Sequence, residues 1–208
     1  MTVIIVANVE QREEILCKNT NPAAKVIFME EYSDLAVSIN YDAIFYLDYS
    51  KKAGVNKHNN KPVIVNSVTV TLQENNLPHN FSRINGWPGF LKRQTWEAAS
   101  ADSARVSTIF EQLGWSVVFV KDEPGLVSAR VVSMIVNEAF FALGEGISTA
   151  EEIDLAMKLG TNYPYGPFEW QEKIGVQNIY QLLYKLSATD KRYSIAPLLK
   201  EKYLQFFV

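Results

Sequence analysis

Asp122-Glu-Pro-Gly-Leu-Val-Ser-Ala-Arg130, Asn137-Glu-Ala139, Glu152-Ile-Asp-Leu-Ala-Met-Lys-Leu-Gly160 and Tyr163-Pro-Tyr-Gly-Pro-Phe-Glu169 follow one another in that order and decide the fold of the second half of the chain. Val127, Val131, Met134, Ile135, Ala139 and Ala142 recur at the spacing of a helix face. Ser148-Thr-Ala-Glu151 has the form of a capping box opening a helix that Gly160 stops. Pro167 suits the first turn of a further helix ended by Gly175. Ile179, Leu182, Leu183 and Leu186 make another apolar stripe. From Gly125 onward the chain reads as all-helical, with its junction at Asp122–Gly125.

Working outward, the N-terminal half changes period. Val3–Ala7, Lys25–Met29, Ala43–Leu47, Pro62–Asn66, Phe81–Asn85 and Ser116–Val120 are short apolar runs bounded by Asn, Pro, Gly or charge. Near-continuous apolar strands suit a parallel sheet covered on both faces. Glu10–Asn19 and Ser103–Leu113 read as helices between them. Strands alternating with helices predict a short, doubly wound, mostly parallel α/β sheet over residues 1–121, followed by a helical domain over 122–208.

Composition narrows the function. The net charge of -3 offers no footprint for nucleic acid or an anionic membrane. No apolar run approaches the roughly 18 residues of a membrane span. Two histidines, His58 and His79, and the single Cys17 exclude a disulfide framework and a Cys/His zinc site, so no metal is expected. The strand-like run Thr2–Ala7 follows directly on Met1 without a basic, apolar leader, and the expected location is cytoplasmic.

The series Asp122/Pro124-Gly125/Arg130, Asn137-Glu138-Ala139 and Tyr163–Glu169 resembles the C-terminal helical domain of the 3-hydroxyacyl-CoA dehydrogenase family over about 80 residues. Ile84-Asn-Gly-Trp-Pro88 followed by Trp96-Glu97 resembles that family's His-Phe-Phe-Asn-Pro segment and its downstream Glu. Val65-Asn66-Ser67 resembles its Ser-Asn-Thr-Ser stretch. The resemblance implies a Rossmann-like first domain, trimmed in its connections, and an enzyme of fatty acid metabolism using NAD. It also implies a helical domain that pairs two subunits and walls an acyl-CoA cleft between the domains. The tail residues Tyr203, Leu204, Phe206 and Phe207 suit burial against a partner, or equally against this chain's own core.

The chemistry departs from that pattern. A dinucleotide site needs glycines between the first strand and helix, so that the backbone approaches a pyrophosphate at the helix N-terminus. Here the position reads Ala7-Asn8-Val9-Glu10-Gln11-Arg12. Asn8 and Gln11 have the spacing of a capping box, and Glu10 puts negative charge in the first turn. A carboxylate about 5 Å from a phosphate charge costs roughly 3 kcal/mol at an effective dielectric near 20. Glu30 and Glu31 stand where a ribose-binding acid is found in such folds, a place also occupied by ordinary solvated loops. Asn85, twelve residues before Glu97, occupies the family's His position. An Asn cannot take a proton near neutral pH, and losing a general base typically costs about 10²–10⁴ in rate. Without its His, Glu97 is expected at a helix start or on the surface. On the substrate side, Asn66 remains, while Val68 and Ala129 replace a Ser and an Asn of the family pattern.

Three readings follow. The first is a pseudoenzyme: a family member lacking or impaired in dehydrogenase activity, dimeric through the helical domain, binding an acyl-CoA-like small molecule and no nicotinamide cofactor. The second is an active, NAD-dependent 3-hydroxyacyl-CoA (3-hydroxybutyryl-CoA) dehydrogenase with an unusual cofactor site. In that reading, Gly86 and Gly89 around Trp87-Pro88 would supply a nonstandard anion-binding turn, and His79 could stand in for the base. The third is a non-catalytic assembly partner of an active homologue.

Overall fold

A computed structural model describes residues 1–31, 39–48 and 60–207. His58 lies outside the described residues. The chain divides into two compact units, Met1–Leu126 and Val127–Val208.

The first unit is built on seven strands: β1 (Thr2–Val6), β2 (Lys25–Met29), β3 (Ala43–Tyr46), β4 (Val63–Asn66), β5 (Phe81–Ile84), β6 (Thr95–Ser100) and β7 (Ser116–Phe119). They lie in the order β2-β1-β3-β4-β5-β6-β7. Every pair is parallel except β5 with β6. Val3 and Ile5 pack on one face of the sheet while Ile4 and Val6 pack on the other. That is why the strand runs continuously apolar instead of alternating. Helix α1 (Val9–Leu16) follows β1, and α2 (Ser103–Leu113) leads into β7. Asp102 caps α2, and Gly114 ends it at φ 74°. Val106, Ile109, Phe110 and Leu113 bury one side of α2 in the core of Phe45, Trp96 and Trp115.

Strand β6 was not expected. Its sequence, Thr-Trp-Glu-Ala-Ala-Ser, carries a charge and two alanines, poor strand formers on local preference. Burial of Trp96, Ala98 and Ala99 between β5 and β7 overrides that preference.

The second unit holds α3 (Ser128–Gly144), α4 (Ala150–Thr161), α5 (Pro167–Ile174), α6 (Val176–Ser187) and α7 (Pro197–Leu204). The capping box of α4 falls one residue later than its expected place: Thr149 is the N-cap and Glu152 reaches back, with Ser148 Oγ also donating to Glu152 Oε2 (2.6 Å). Asn162, in the left-handed region at φ 55°, ends this helix just beyond Gly160. Pro167 opens α5, and Gly175 ends it at φ 90°. Tyr203 stacks on Tyr180 of its own unit at 3.9 Å, whereas Leu204 and Phe206 are exposed. Among the described residues, no helix is long and apolar enough to cross a membrane.

The division falls at Leu126/Val127 rather than after Lys121 because polar contacts tie the intervening residues to the sheet. Asp122 and the Glu123 carbonyl bind Arg83 of β5, and Gly125 N donates to Val68 O (2.8 Å).

Candidate functional site

The carboxyl ends of β1, β3, β4 and β5 form the edge at which parallel α/β sheets bind ligands. In this chain that edge is laced together by its own side chains. Asn8 Oδ1 accepts from Gln11 N (2.9 Å), and Gln11 Oε1 accepts from Asn8 N (3.1 Å). Gln11 Nε2 then donates to Leu47 O after β3 (3.0 Å). The same carbonyl accepts from Asn66 Nδ2 (3.1 Å). Asn66 Nδ2 also donates to Gly86 O (3.3 Å), and its Oδ1 accepts from Gly86 N (2.9 Å). A Cβ on Gly86 would stand 2.7 Å from Asn66 Cγ, so glycine is required for this approach.

The start of α1 does not fit a dinucleotide diphosphate. Two of its donors are satisfied by the capping box, no glycine lets a phosphate approach, and Glu10 is exposed in the first turn. The Arg12 guanidinium lies 5.1 Å from the centre of the Phe28 ring of β2. Glu30 is exposed immediately after β2, one step beyond the Val6–Met29 pair and therefore beside Ala7. Of the cofactor-side residues, this is the one whose position matches a dinucleotide fold.

Asn85 follows β5 and is buried, with Oδ1 accepting from Trp87 N (3.2 Å). The β5–β6 register runs Ser82–Ser100, Arg83–Ala99 and Ile84–Ala98, so its next step sets Asn85 opposite Glu97. A separation of twelve residues is thus what this antiparallel connection produces. Glu97 is a half-buried strand residue of β6, not a helix-start carboxylate. Its charge supports the Arg93 guanidinium, which burial pushes below its ordinary value. His79 is exposed and precedes β5, whereas Asn85 follows it, so a strand length of about 13 Å separates them. It cannot replace the base.

Three charged residues that sequence reasoning missed organise this edge. Arg83, in the middle of β5, is fully buried. It donates to Asp122 Oδ1, to Ser67 O (2.9 Å) and Val68 O (3.2 Å), and to Glu123 O. Burial pushes its guanidinium down, and Asp122 opposes the shift through a hydrogen bond and its charge. Asp122 in turn accepts from Leu72 N (3.0 Å). A charge inside the apolar run Phe81–Ile84 was the available signal. Val68 is therefore held by its backbone, and its buried side chain offers no hydroxyl to a ligand. Glu14 and Lys18, one turn apart on one side of α1 and its end, bind the β5–β6 loop. Glu14 accepts from the N–H groups of Gly89, Leu91 (3.0 Å) and Lys92 (3.2 Å). Lys18 Nζ donates to the Arg93 and Gln94 carbonyls and lies 5.1 Å from the Trp96 ring centre. Of the two glycines, Gly89 helps hold an anion, the Glu14 carboxylate, while Gly86 N donates to Asn66 Oδ1.

The structure brings Asn66, Val68 and Asn85 together at these strand ends, with Ala7, Asn8 and Glu10 at the start of α1. Ala129 belongs to the helical unit, where it is fully buried in the first turn of α3. Chemically, the strand-end set can donate and accept hydrogen bonds, and it contains no group suited to proton abstraction at Asn85.

Comparisons with known proteins agree with this architecture. Residues 125–205 match the model of the 3-hydroxyacyl-CoA dehydrogenase C-terminal domain. The chain is 40% identical over 111 residues to the 3-hydroxyadipyl-CoA dehydrogenase of Escherichia coli K12, covering 51% of this chain and 23% of that protein. It is 37% identical over 98 residues to a probable 3-hydroxybutyryl-CoA dehydrogenase of Bacillus subtilis, covering 46% of this chain and 34% of that protein. The matched stretch thus spans a quarter to a third of these relatives. The crystal structure of (S)-3-hydroxybutyryl-CoA dehydrogenase from Ralstonia eutropha superposes with a TM-score of 0.70 at 23% identity, covering 96% of this chain and 92% of that one, a likeness of fold. The helical unit is thus similar to the C-terminal domain of the 3-hydroxyacyl-CoA dehydrogenase family, and the chain shares the fold of the Ralstonia eutropha enzyme.

Proposed function

We propose that this protein is a family member without effective dehydrogenase activity, which pairs through its helical unit and binds an acyl-CoA-like ligand rather than NAD. The observation that carries the reading is the start of α1, where Asn8 and Gln11 satisfy each other and Glu10 adds negative charge. Hydride transfer requires a nicotinamide dinucleotide held there. Asn85 reinforces the reading, since a carboxamide cannot take the hydroxyl proton as hydride leaves. The names of the relatives, which concern 3-hydroxybutyryl- and 3-hydroxyadipyl-CoA, suggest short-chain or dicarboxylic acyl-CoA as the ligand class.

The test is a fluorescence titration of the full chain with NADH, followed by an assay for acetoacetyl-CoA reduction. The expected result is no saturable binding up to millimolar NADH and no turnover. Saturable micromolar binding would reverse the reading. Glu30 favours the alternative, an active NAD-dependent enzyme, because it stands where a ribose hydroxyl would be read. Glu30→Ala separates the two: it weakens NADH binding under the alternative and changes nothing under the proposal.

A further inference from the structure

The turn between β5 and β6 is stiff and lined with backbone donors. Trp87, Phe90 and Leu91 are buried, Phe90 N donates to Trp87 O (3.0 Å), and Arg93 N donates to Phe90 O (3.2 Å). Gly89 takes φ 87°, the left-handed conformation that only glycine adopts freely. The N–H groups of Gly89, Leu91 and Lys92 therefore converge on one place, and both oxygens of Glu14 fill it. Convergent backbone N–H groups around a left-handed residue make an anion-binding concavity. Nothing in the turn itself specifies a carboxylate. Glu14 reaches the donors from another element, and three donors meet its two oxygens. A phosphate group presents three acceptor oxygens to the same geometry. The surroundings favour an anion as well. Lys18 places its ammonium on the Arg93 and Gln94 carbonyls of the same loop, and Lys92 and Arg93 belong to the turn.

We propose that this turn is an oxyanion seat for phosphate-class groups, and that Glu14 is its built-in plug. With the carboxylate in place, the donors are satisfied and an incoming phosphate meets like charge. With it removed, the donors are orphaned inside a stiff turn. The inference goes beyond the proposed loss of dehydrogenase activity and does not depend on it.

The test uses the full chain carrying Glu14→Ala, with inorganic phosphate as the probe and chloride at matched ionic strength as the control. At phosphate ten times its dissociation constant, the melting temperature of the variant rises by about 3–6 °C. The wild type moves by less than about 1 °C, because its seat is full. The Gly89, Leu91 and Lys92 amide resonances shift saturably in the variant alone. A Glu14→Ala chain that folds only with phosphate present supports the proposal equally. The absence of any phosphate response, or an equal response in the wild type, overturns it. Should Glu14→Ala fail to fold under either condition, Glu14→Gln decides. It keeps the shape of the side chain and removes the charge, so a smaller phosphate-specific rise is expected, and its absence overturns the proposal.

Discussion

In the helical unit, buried polar side chains hold helix ends; in the sheet unit, polar side chains that are mostly exposed or half-buried hold strand ends. Asp154 accepts from Phe168 N (2.8 Å) and Glu169 N (3.1 Å), capping α5 from α4. Asn137 donates to Ser194 O (2.8 Å) and accepts from Ala196 N (2.9 Å), fixing the approach to α7. Lys158 pairs with Glu169. These residues lie in the motifs that carry the family resemblance, and each has a structural task. The corresponding lacing in the sheet unit, by Asn8, Gln11, Asn66 and Asn85, lies where the family resemblance places a cofactor and a base. The comparison teaches that the family motifs of the helical unit record how it folds. Dehydrogenase chemistry must be judged at the strand ends, and there the polar groups are turned inward on one another.

The largest effect should come from breaking the sheet-side lacing at Arg83. Arg83→Met leaves the carbonyls of Ser67, Val68 and Glu123 without their donor and Asp122 without its buried partner. The expected loss is about 3–5 kcal/mol, read from the urea midpoint. A loss below about 1 kcal/mol would mean the strand ends are held by packing alone. The matching break in the helical unit is Gly166→Ala. The added Cβ would stand 2.3 Å from Asp154 Cγ and drive that carboxylate off the α5 N–H groups. A cost of about 2–4 kcal/mol is expected. Gly160→Ala is the control from the same motif. Its Cβ meets nothing within 4 Å, so the helix should gain about 0.5–1 kcal/mol.

Lys18 sharpens the comparison through pH. Burial lowers its ammonium pKa from 10.5 to about 8. Below the folded value both states carry the proton, and the cost of burying the charge is fully present. Between about pH 8 and 10.5 the unfolded chain binds more protons than the folded one, so stability rises with pH across that window. Hydration around the partly covered ammonium reduces the effect to on the order of 1–2 kcal/mol. Denaturation midpoints of wild type and Lys18→Met, measured from pH 6 to 10.5, should run parallel below the window and differ in slope within it. Parallel curves throughout would show that the loop carbonyls, and not burial, govern this lysine.

Much of the fold was legible because its signals are local. The strands Val3–Val6 and Ile44–Tyr46 read correctly from uninterrupted apolar runs, and the α1 cap from the Asn8–Gln11 spacing. Strand β6 was not legible, since Ala98 and Ala99 become strand residues only through burial between β5 and β7. The same gap misplaced Glu97. The candidate site was legible where one residue type settles the chemistry, as at Asn85. It was illegible where distant residues meet: nothing in the sequence joins Glu14 to Gly89, or Arg83 to Asp122.

The smallest change tests the sheet unit most directly. Asn8→Gly removes the side-chain acceptor from the α1 N-terminus but keeps a residue type that tolerates the cap position. The stability cost should be only a few tenths of a kcal/mol, so the helix stays formed while Gln11 N loses its partner. If the inward-turned cap alone closes this end to a diphosphate, NADH binding should emerge at millimolar concentration in the fluorescence titration. If Glu10 contributes, Asn8→Gly alone will stay silent and Asn8→Gly with Glu10→Gln will bind, because a carboxylate about 5 Å from a phosphate costs roughly 3 kcal/mol. If both variants stay silent, the missing glycines of Ala7–Arg12 are the barrier, since they deny the phosphate its close approach to the backbone. Each outcome locates the closure in a different physical term, namely hydrogen bonding, charge or backbone access.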